Sequence, residues 1–362
     1  MISRLIRYLR SDPFSILVIF LPLAAVAKYS GWNEVWVFLL SALGVVPMAR
    51  FIGAATESLA LYTGPRIGGL LNATLGNAAE LIITIFAIRA GLLELVKASI
   101  TGSILGNLLL VLGMSMLLGG LKNGWQQFDR KHATNNAVLL TLAVVALVVP
   151  SLLSHYIGSE ESMGVEALSL GVAAIMIVLY ALGLAFSYKG TNSPVVAPTE
   201  EAGGIHHGPE WSLTTSLIVL VAATIGVAYL SELLVGAVEP VVISLGISEF
   251  FLGIILIPLI GNVAEHLVAV KVALRNKMEL SVEVSLASSL QIALFVAPVL
   301  VFISLLIGNP LQLIFNQFEL IALIASVLIA ALVSADGESN WLEGAELLAI
   351  YLILGLAFFL IP

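Results

Sequence analysis

The sequence has no cysteine among its 362 residues, and only 10% of its residues are charged. The first absence excludes disulfides, thiol catalysis and thiolate metal sites. The second excludes an ordinary soluble domain, which needs far more polar surface to cover its core. Histidine is scarce as well, with five in the chain. No HExxH occurs, and no Ser–His pair falls at a matched depth, so an intramembrane hydrolase is disfavoured and the chain is read as a non-enzyme. What is present is apolar: 60% hydrophobic residues and a mean hydropathy of +1.09. The bilayer is the solvent that permits this composition.

Hydropathy divides the chain into about eleven stretches of spanning length, starting near Phe14, Trp32, Gly68, Glu94, Asn136, Gly164, Ser212, Phe250, Leu280, Phe318 and Leu342. The expected fold is an all-α integral membrane protein. The second stretch runs apolar to Tyr62 despite Arg50 and Glu57, as a long tilted helix would. Residues 1–31 form an N-terminal segment and first span, read as a signal anchor because no small-residue cleavage site follows the apolar run. Residues 32–188 form a first half and 212–362 a second. Between them 189–211, with Pro194, Pro198 and Gly203-Gly204, reads as a flexible linker, and its His206-His207 as solvated.

Lysine and arginine set the orientation. With the N-terminus cytoplasmic, eleven bases face that side, Arg4, Arg7 and Arg10 among them, against three on the other. The N-terminus is therefore expected inside and, with an odd span count, the C-terminus outside. The loop Asp336 to Glu343 runs against this bias, with acids and no base.

An internal repeat is present. Gly76-Asn77-Ala78-Ala79-Glu80 matches Gly261-Asn262-Val263-Ala264-Glu265 at an offset of 185 residues, and Gly68/Gly253, Glu94/Glu279 and Ser103/Ser288 keep it without a gap. The offset covers an odd number of spans, so the second copy enters the membrane from the opposite side. That is an inverted repeat, which favours a secondary transporter, although channels can also contain repeats. Glu80 lies about 11 residues before the turn near Gly91, and Ser103 about 12 after it. At 1.5 Å per residue both sit roughly 15 Å deep, in the middle of the core. Glu265 and Ser288 around Asn276 give the same depth.

Two bare carboxylates at that depth are costly, at least ~2.5–3.5 kcal/mol each. A divalent cation can bridge them, or each can take a proton. Both leave the pair without net charge, and the empty, doubly ionised site is the state least able to cross an apolar barrier. A protein obeying that rule exchanges a divalent cation for protons. Asn77, Asn262 and Gln291 offer amide oxygens, and Ser103 and Ser288 offer hydroxyls. This all-oxygen set suits Ca²⁺ better than Zn²⁺ or Cu⁺. Gly68-Gly69 and Gly76 are expected to interrupt the third span, and Pro258 and Gly261 the eighth, freeing carbonyls to line a cavity. His266 follows Glu265, where tuning its proton affinity and packing on another helix face are equally open.

The stretch Gly68 to Ile82, containing Gly-Asn-Ala-Ala-Glu80, resembles the first repeat motif of the calcium/proton exchangers of the calcium/cation antiporter superfamily, and Ile257 to His266 the second. Ser99 to Gly113 and Ser285 to Pro298 resemble the helices that follow each motif, and Asp336 to Gly344 a signature before the last span. The resemblance implies eleven transmembrane helices, one plus two inverted repeats of five. It implies that Glu80 and Glu265 bind Ca²⁺ and exchange it for H⁺, exporting Ca²⁺ by alternating access. Asn77, Asn262, Ser103, Ser288 and Gln291 would surround the ion, and Glu57 and Glu239 would line its access route. Ca²⁺ is then cargo, with no cofactor. The partners are Ca²⁺, H⁺ and the lipid bilayer, with no nucleic acid, and a homo-oligomer is compatible. The acidic helix that family members often carry between the halves is reduced here to Glu200, Glu201 and Glu210. The short N-terminal tail favours a prokaryotic plasma membrane. A Na⁺-coupled relative is the nearest alternative, disfavoured because neutral Gln291 stands where such relatives tend to carry an acid. A divalent-cation channel is the alternative from another class.

Overall fold

The computed structural model describes residues 13–159, 162–189 and 211–361. Arg4, Arg7 and Arg10, and the linker from 190 to 210, lie outside the described residues. Among the described residues the regular structure is helical, apart from a two-residue strand pair that joins Gln126 to Ser339 and Gln127 to Glu338. In chain order the helices are α1 (Phe14–Tyr29), α2 (Glu34–Gly64), α3 (65–75) and α4 (Ala78–Arg89). Next come α5 (Leu93–Asn123), α6 (Arg130–Ile157), α7 (Met163–Lys189) and α8 (Leu213–Gly236). The remainder are α9 (Val238–Leu245), α10 (Glu249–Gly261), α11 (Val263–Ala273), α12 (Met278–Ile307), α13 (Gln317–Val333) and α14 (Trp341–Leu360).

Among the described residues seven helices are long and apolar enough to cross a membrane, and α9 with α10, bent by 117°, would bring the count to eight if the pair is one span. Outer helices expose apolar side chains, Ile175 and Leu182 on α7 and Leu352 and Ile353 on α14, as a hydrocarbon solvent requires. The fifth span begins at Arg130 rather than Asn136, because the Asp129 side chain caps the helix by accepting from the backbone N–H groups of Lys131 and His132.

Two sets of turns define the ends of the bundle. At one, Gln126 Nε2 donates to Ala273 O and Asn276 Oδ1, and Phe128 N–H to Gly337 O. At the other, Asn309 Nδ2 donates to Ile88 O, Leu95 N–H to Glu249 Oε1, and Phe315 N–H to Ser151 Oγ. Helix α4 therefore runs toward the second end and α11 toward the first. The two motif helices are antiparallel, as an inverted repeat demands.

The repeat continues into packing. Helix α2 lies against α8, and their glycine contacts are reciprocal. A β-carbon on Gly44 would meet Leu230 at 3.0 Å, and one on Gly226 would meet Met48 at 2.9 Å. Gly44 and Gly226 are 182 residues apart, as are Met48 and Leu230, Glu57 and Glu239, and Gly64 and Gly246. The register is thus 182 before the kink glycines and 185 after them. Gly64 (φ 80°, ψ 171°) breaks α2 from α3, and Gly246 (φ 65°) ends α9. Both occupy backbone regions that favour glycine.

Two expected interruptions are corrected. Helix α3 runs unbroken through Gly68-Gly69, and the breaks fall at Gly64 and at Gly76-Asn77. Gly68 instead provides room, since a β-carbon there would lie 2.8 Å from Ala60 Cβ, across the sharp turn at Gly64. Pro258 does not break α10 either. It sits at the start of the regular turn Ile257–Gly261, after a π-helical turn over Leu252–Leu256 has widened the ladder.

Candidate ion-binding site

The motif asparagines make the break. Asn77 (φ −96°, ψ 23°) and Asn262 (φ −103°, ψ 4°) share one sparsely populated backbone conformation and stand at the N-cap positions of α4 and α11. Neither side chain caps its own helix. Both reach across to the other repeat. Asn262 Nδ2 donates to Glu80 Oε1 at 2.6 Å, and Asn77 Nδ2 donates to Gln291 Oε1 at 2.8 Å. Glu80 and Glu265 each lie in the first turn of a helix, where the dipole favours negative charge.

Each glutamate accepts a hydrogen bond from the serine 23 residues further along the chain. Ser103 Oγ donates to Glu80 Oε1, and Ser288 Oγ donates to Glu265 Oε2 at 2.6 Å. Those serines lie just before matching π-helical turns, Gly106–Val111 in α5 and Ile292–Val296 in α12. Such turns are common at functional sites because they rotate the side chains that follow.

The repeats cross at their glycines. A β-carbon on Gly261 would lie 2.7 Å from Glu80 Cγ, and one on Gly76 would lie 3.3 Å from Glu265 Oε1. Each carboxylate side chain therefore rests against the motif of the opposite half. Glu80 is 2% exposed, and its Oε2 is buried with no hydrogen-bond partner, while Glu265 is only part-buried. A buried carboxylate oxygen with nothing to accept is ready for a proton or a cation.

Seven of the nine site residues named from sequence come together here: Glu80, Glu265, Asn77, Asn262, Ser103, Ser288 and Gln291. Glu57 and Glu239 do not join this network. Both are exposed, each seven residues before its kink glycine. His266 is partly buried, and its Nε2 has no hydrogen-bond partner. Sequence reasoning missed Asn107, which is 1% exposed and donates from Nδ2 to Ser288 Oγ at 3.0 Å. Its signal was an amide one turn after Ser103 in an otherwise apolar run. It escaped notice because Ile292 stands at the equivalent position of the second repeat.

The model for the sodium/calcium exchanger protein family matches residues 33–189 and 215–360. A Ca(2+)/H(+) antiporter of Aphanothece halophytica is 46% identical over 358 residues, 96% of each chain. The Ca(2+)/H(+) antiporter ChaA of Bacillus subtilis (strain 168) is 45% identical over 345 residues, covering 94% of this chain and 96% of its own. The solved structure of native YfkE superimposes with a TM-score of 0.84 at 42% identity, covering 96% of this chain and 100% of YfkE. The H+/Ca2+ exchanger CAX shares the fold, with a TM-score of 0.73 at 17% identity, over 96% of this chain and 91% of its own. The family match covers both halves of the chain and both motif glutamates, so this chain is a membrane protein of the sodium/calcium exchanger family.

Proposed function

We propose that this protein is a Ca²⁺/H⁺ antiporter that exports Ca²⁺ from the cytosol by alternating access, with Ca²⁺ and protons competing for Glu80 and Glu265. The observation that carries this reading is the buried, unpartnered Glu80 Oε2 at a crossing where each glutamate leans on the other repeat. One Ca²⁺, or protons on both carboxylates, leaves the pair neutral, and only a neutral pair passes readily between two openings through an apolar barrier. Hydroxyl and amide groups surround the carboxylates, the hard-oxygen set that Ca²⁺ prefers. The names of the relatives, Ca(2+)/H(+) antiporters at 45–46% identity over nearly the full length, support the same pair of ions.

Within this reading the chain makes eleven crossings, with α1 preceding two sets of five. The halves are 32–188 and 212–362, joined by a cytoplasmic linker at 189–211. The N-terminus is cytoplasmic and the C-terminus outside, in a prokaryotic plasma membrane. Glu57 and Glu239, exposed before the kinks at Gly64 and Gly246, gather the ion on its way in. Neutral Gln291, held by Asn77, keeps the site at two carboxylates and favours protons over Na⁺ as the counter-ion.

Everted membrane vesicles test this. An acid interior should drive Ca²⁺ uptake, and external acid should raise the Ca²⁺ concentration needed for half-maximal rate. Glu80→Gln and Glu265→Gln should each abolish uptake. Uptake that runs equally well with the proton gradient collapsed and a Na⁺ gradient imposed would overturn the proton assignment. Normal transport by both variants would overturn the site.

A further inference from the structure

Away from the central glutamates, titratable side chains gather around one recess, where the start of α6 meets the start of α12. Asp129, His132, Asn136, Glu279 and Glu283 line it together with Phe128, and no lysine or arginine does. The recess has room for one ion or water and not for an organic ligand. His132 Nε2 stands 3.5 Å from Glu283 Oε1. Asn136 is fully buried, and neither its Oδ1 nor its Nδ2 has a hydrogen-bond partner. A buried amide with both ends unmet is rare in a folded protein, and what occupies the recess must meet it. Three carboxylates in a lining that includes no lysine or arginine favour a positively charged occupant.

We propose that this recess is a second cation site, taking one divalent transition-metal ion of the Mn²⁺ kind through the Glu283 carboxylate, Asn136 Oδ1 and His132 Nε2. A set mixing imidazole nitrogen with carboxylate and amide oxygen suits such an ion better than Ca²⁺, which prefers oxygen alone. Glu279 and Asp129 lend negative field, although Asp129 Oδ1 is already held by the Lys131 and His132 N–H groups. Among the described residues no three histidine or acidic side chains converge on one point, so the ion draws His132 and Glu283 from their mutual contact onto itself. Glu283 lies five residues before Ser288 on α12, about 7.5 Å along the helix. Occupancy would therefore fix the end of the helix that carries the second-repeat serine.

The site is tested with Mn²⁺ itself, by electron paramagnetic resonance on the purified full-length protein in excess Ca²⁺. The Glu80→Gln/Glu265→Gln double variant should retain one Mn²⁺ per chain, with nitrogen modulation from a bound imidazole. Adding His132→Gln should remove that modulation, and adding Glu283→Gln should weaken binding tenfold or more. Should the double variant not purify, the Mn²⁺ that excess Ca²⁺ fails to displace from the otherwise unaltered chain gives the same count. No retained Mn²⁺, or retained Mn²⁺ unaffected by either added substitution, would overturn the proposal. The outcome is independent of whether Glu80 and Glu265 exchange Ca²⁺ for protons.

Discussion

Gly261 lies so close to Glu80 that a β-carbon on it would stand 2.7 Å from the glutamate Cγ. The reciprocal pair, Gly76 and Glu265, is looser at 3.3 Å, and there the contact is with a terminal oxygen that can swing aside. Gly261→Ala should therefore cut the initial rate of Ca²⁺ uptake by roughly 5- to 150-fold, the effect of an overpacking cost of ~1–3 kcal/mol at the site. Gly76→Ala should be milder at the glutamate and should act chiefly on the fold, because its β-carbon would meet the Asn72 carbonyl oxygen at 2.8 Å. A Ca²⁺ affinity that falls as far in Gly76→Ala as in Gly261→Ala, measured on folded protein, would contradict this ranking.

Ser288 is more heavily committed than Ser103, because it donates to Glu265 while accepting from Asn107. Ser288→Ala removes a hydrogen bond to a charged acceptor, worth about 1.5–3 kcal/mol, and leaves the Asn107 amide without its acceptor. Ca²⁺ affinity should fall roughly 10- to 100-fold.

Asn107→Ala should also weaken Ca²⁺ binding, although Asn107 hydrogen-bonds neither glutamate. Combined with Ser288→Ala it should add little, because both substitutions break one network. Titration calorimetry on the two single variants and the double would give the coupling, and full additivity would separate Asn107 from the site.

Gln291→Glu places a third carboxylate where Asn77 donates its hydrogen bond. One Ca²⁺ then no longer neutralises the site, and a further proton is needed in both loaded states. Uptake should slow, and its rate should depend more steeply on pH at a fixed proton gradient. The number of protons exchanged per Ca²⁺ should stay the same, because the added proton rides in both directions. Unchanged proton dependence in a well-folded variant would show that Gln291 stands outside the charge balance.

The kink glycines differ in what they tolerate. Gly246 has left-handed helical angles (φ 65°, ψ 30°) that asparagine also adopts, whereas Gly64 (φ 80°, ψ 171°) lies in a region almost closed to other residues. Gly246→Asn should melt within a few degrees of the parent, and Gly64→Asn should lose about 1–3 kcal/mol of stability in a thermal melt in detergent.

The site was legible in the sequence because the repeat copies side chains as well as hydropathy. The motif Gly-Asn-x-x-Glu and the serine 23 residues on recur at one offset, and buried polar residues stand out in apolar helices. Breaks in the helices were harder to see. Gly68 and Pro258 look like interruptions, but a glycine can serve close approach to Ala60, and a proline can follow a π-turn without breaking a helix. The start of α6 was set by an Asp129 cap that hydropathy does not register. Asn107 and Asn136 have no matching partner in the other half, and only tertiary packing reveals what they face or fail to face.

The change of register at the kinks has a kinetic meaning. Twelve residues separate Gly64 from Gly76, but fifteen separate Gly246 from Gly261. In the alternating-access cycle proposed above, the two access routes share one plan with different lever arms, so opening toward one face of the membrane would be a different motion from opening toward the other. The protein should therefore rectify: at equal and opposite ion gradients, its forward and reverse turnover numbers would differ.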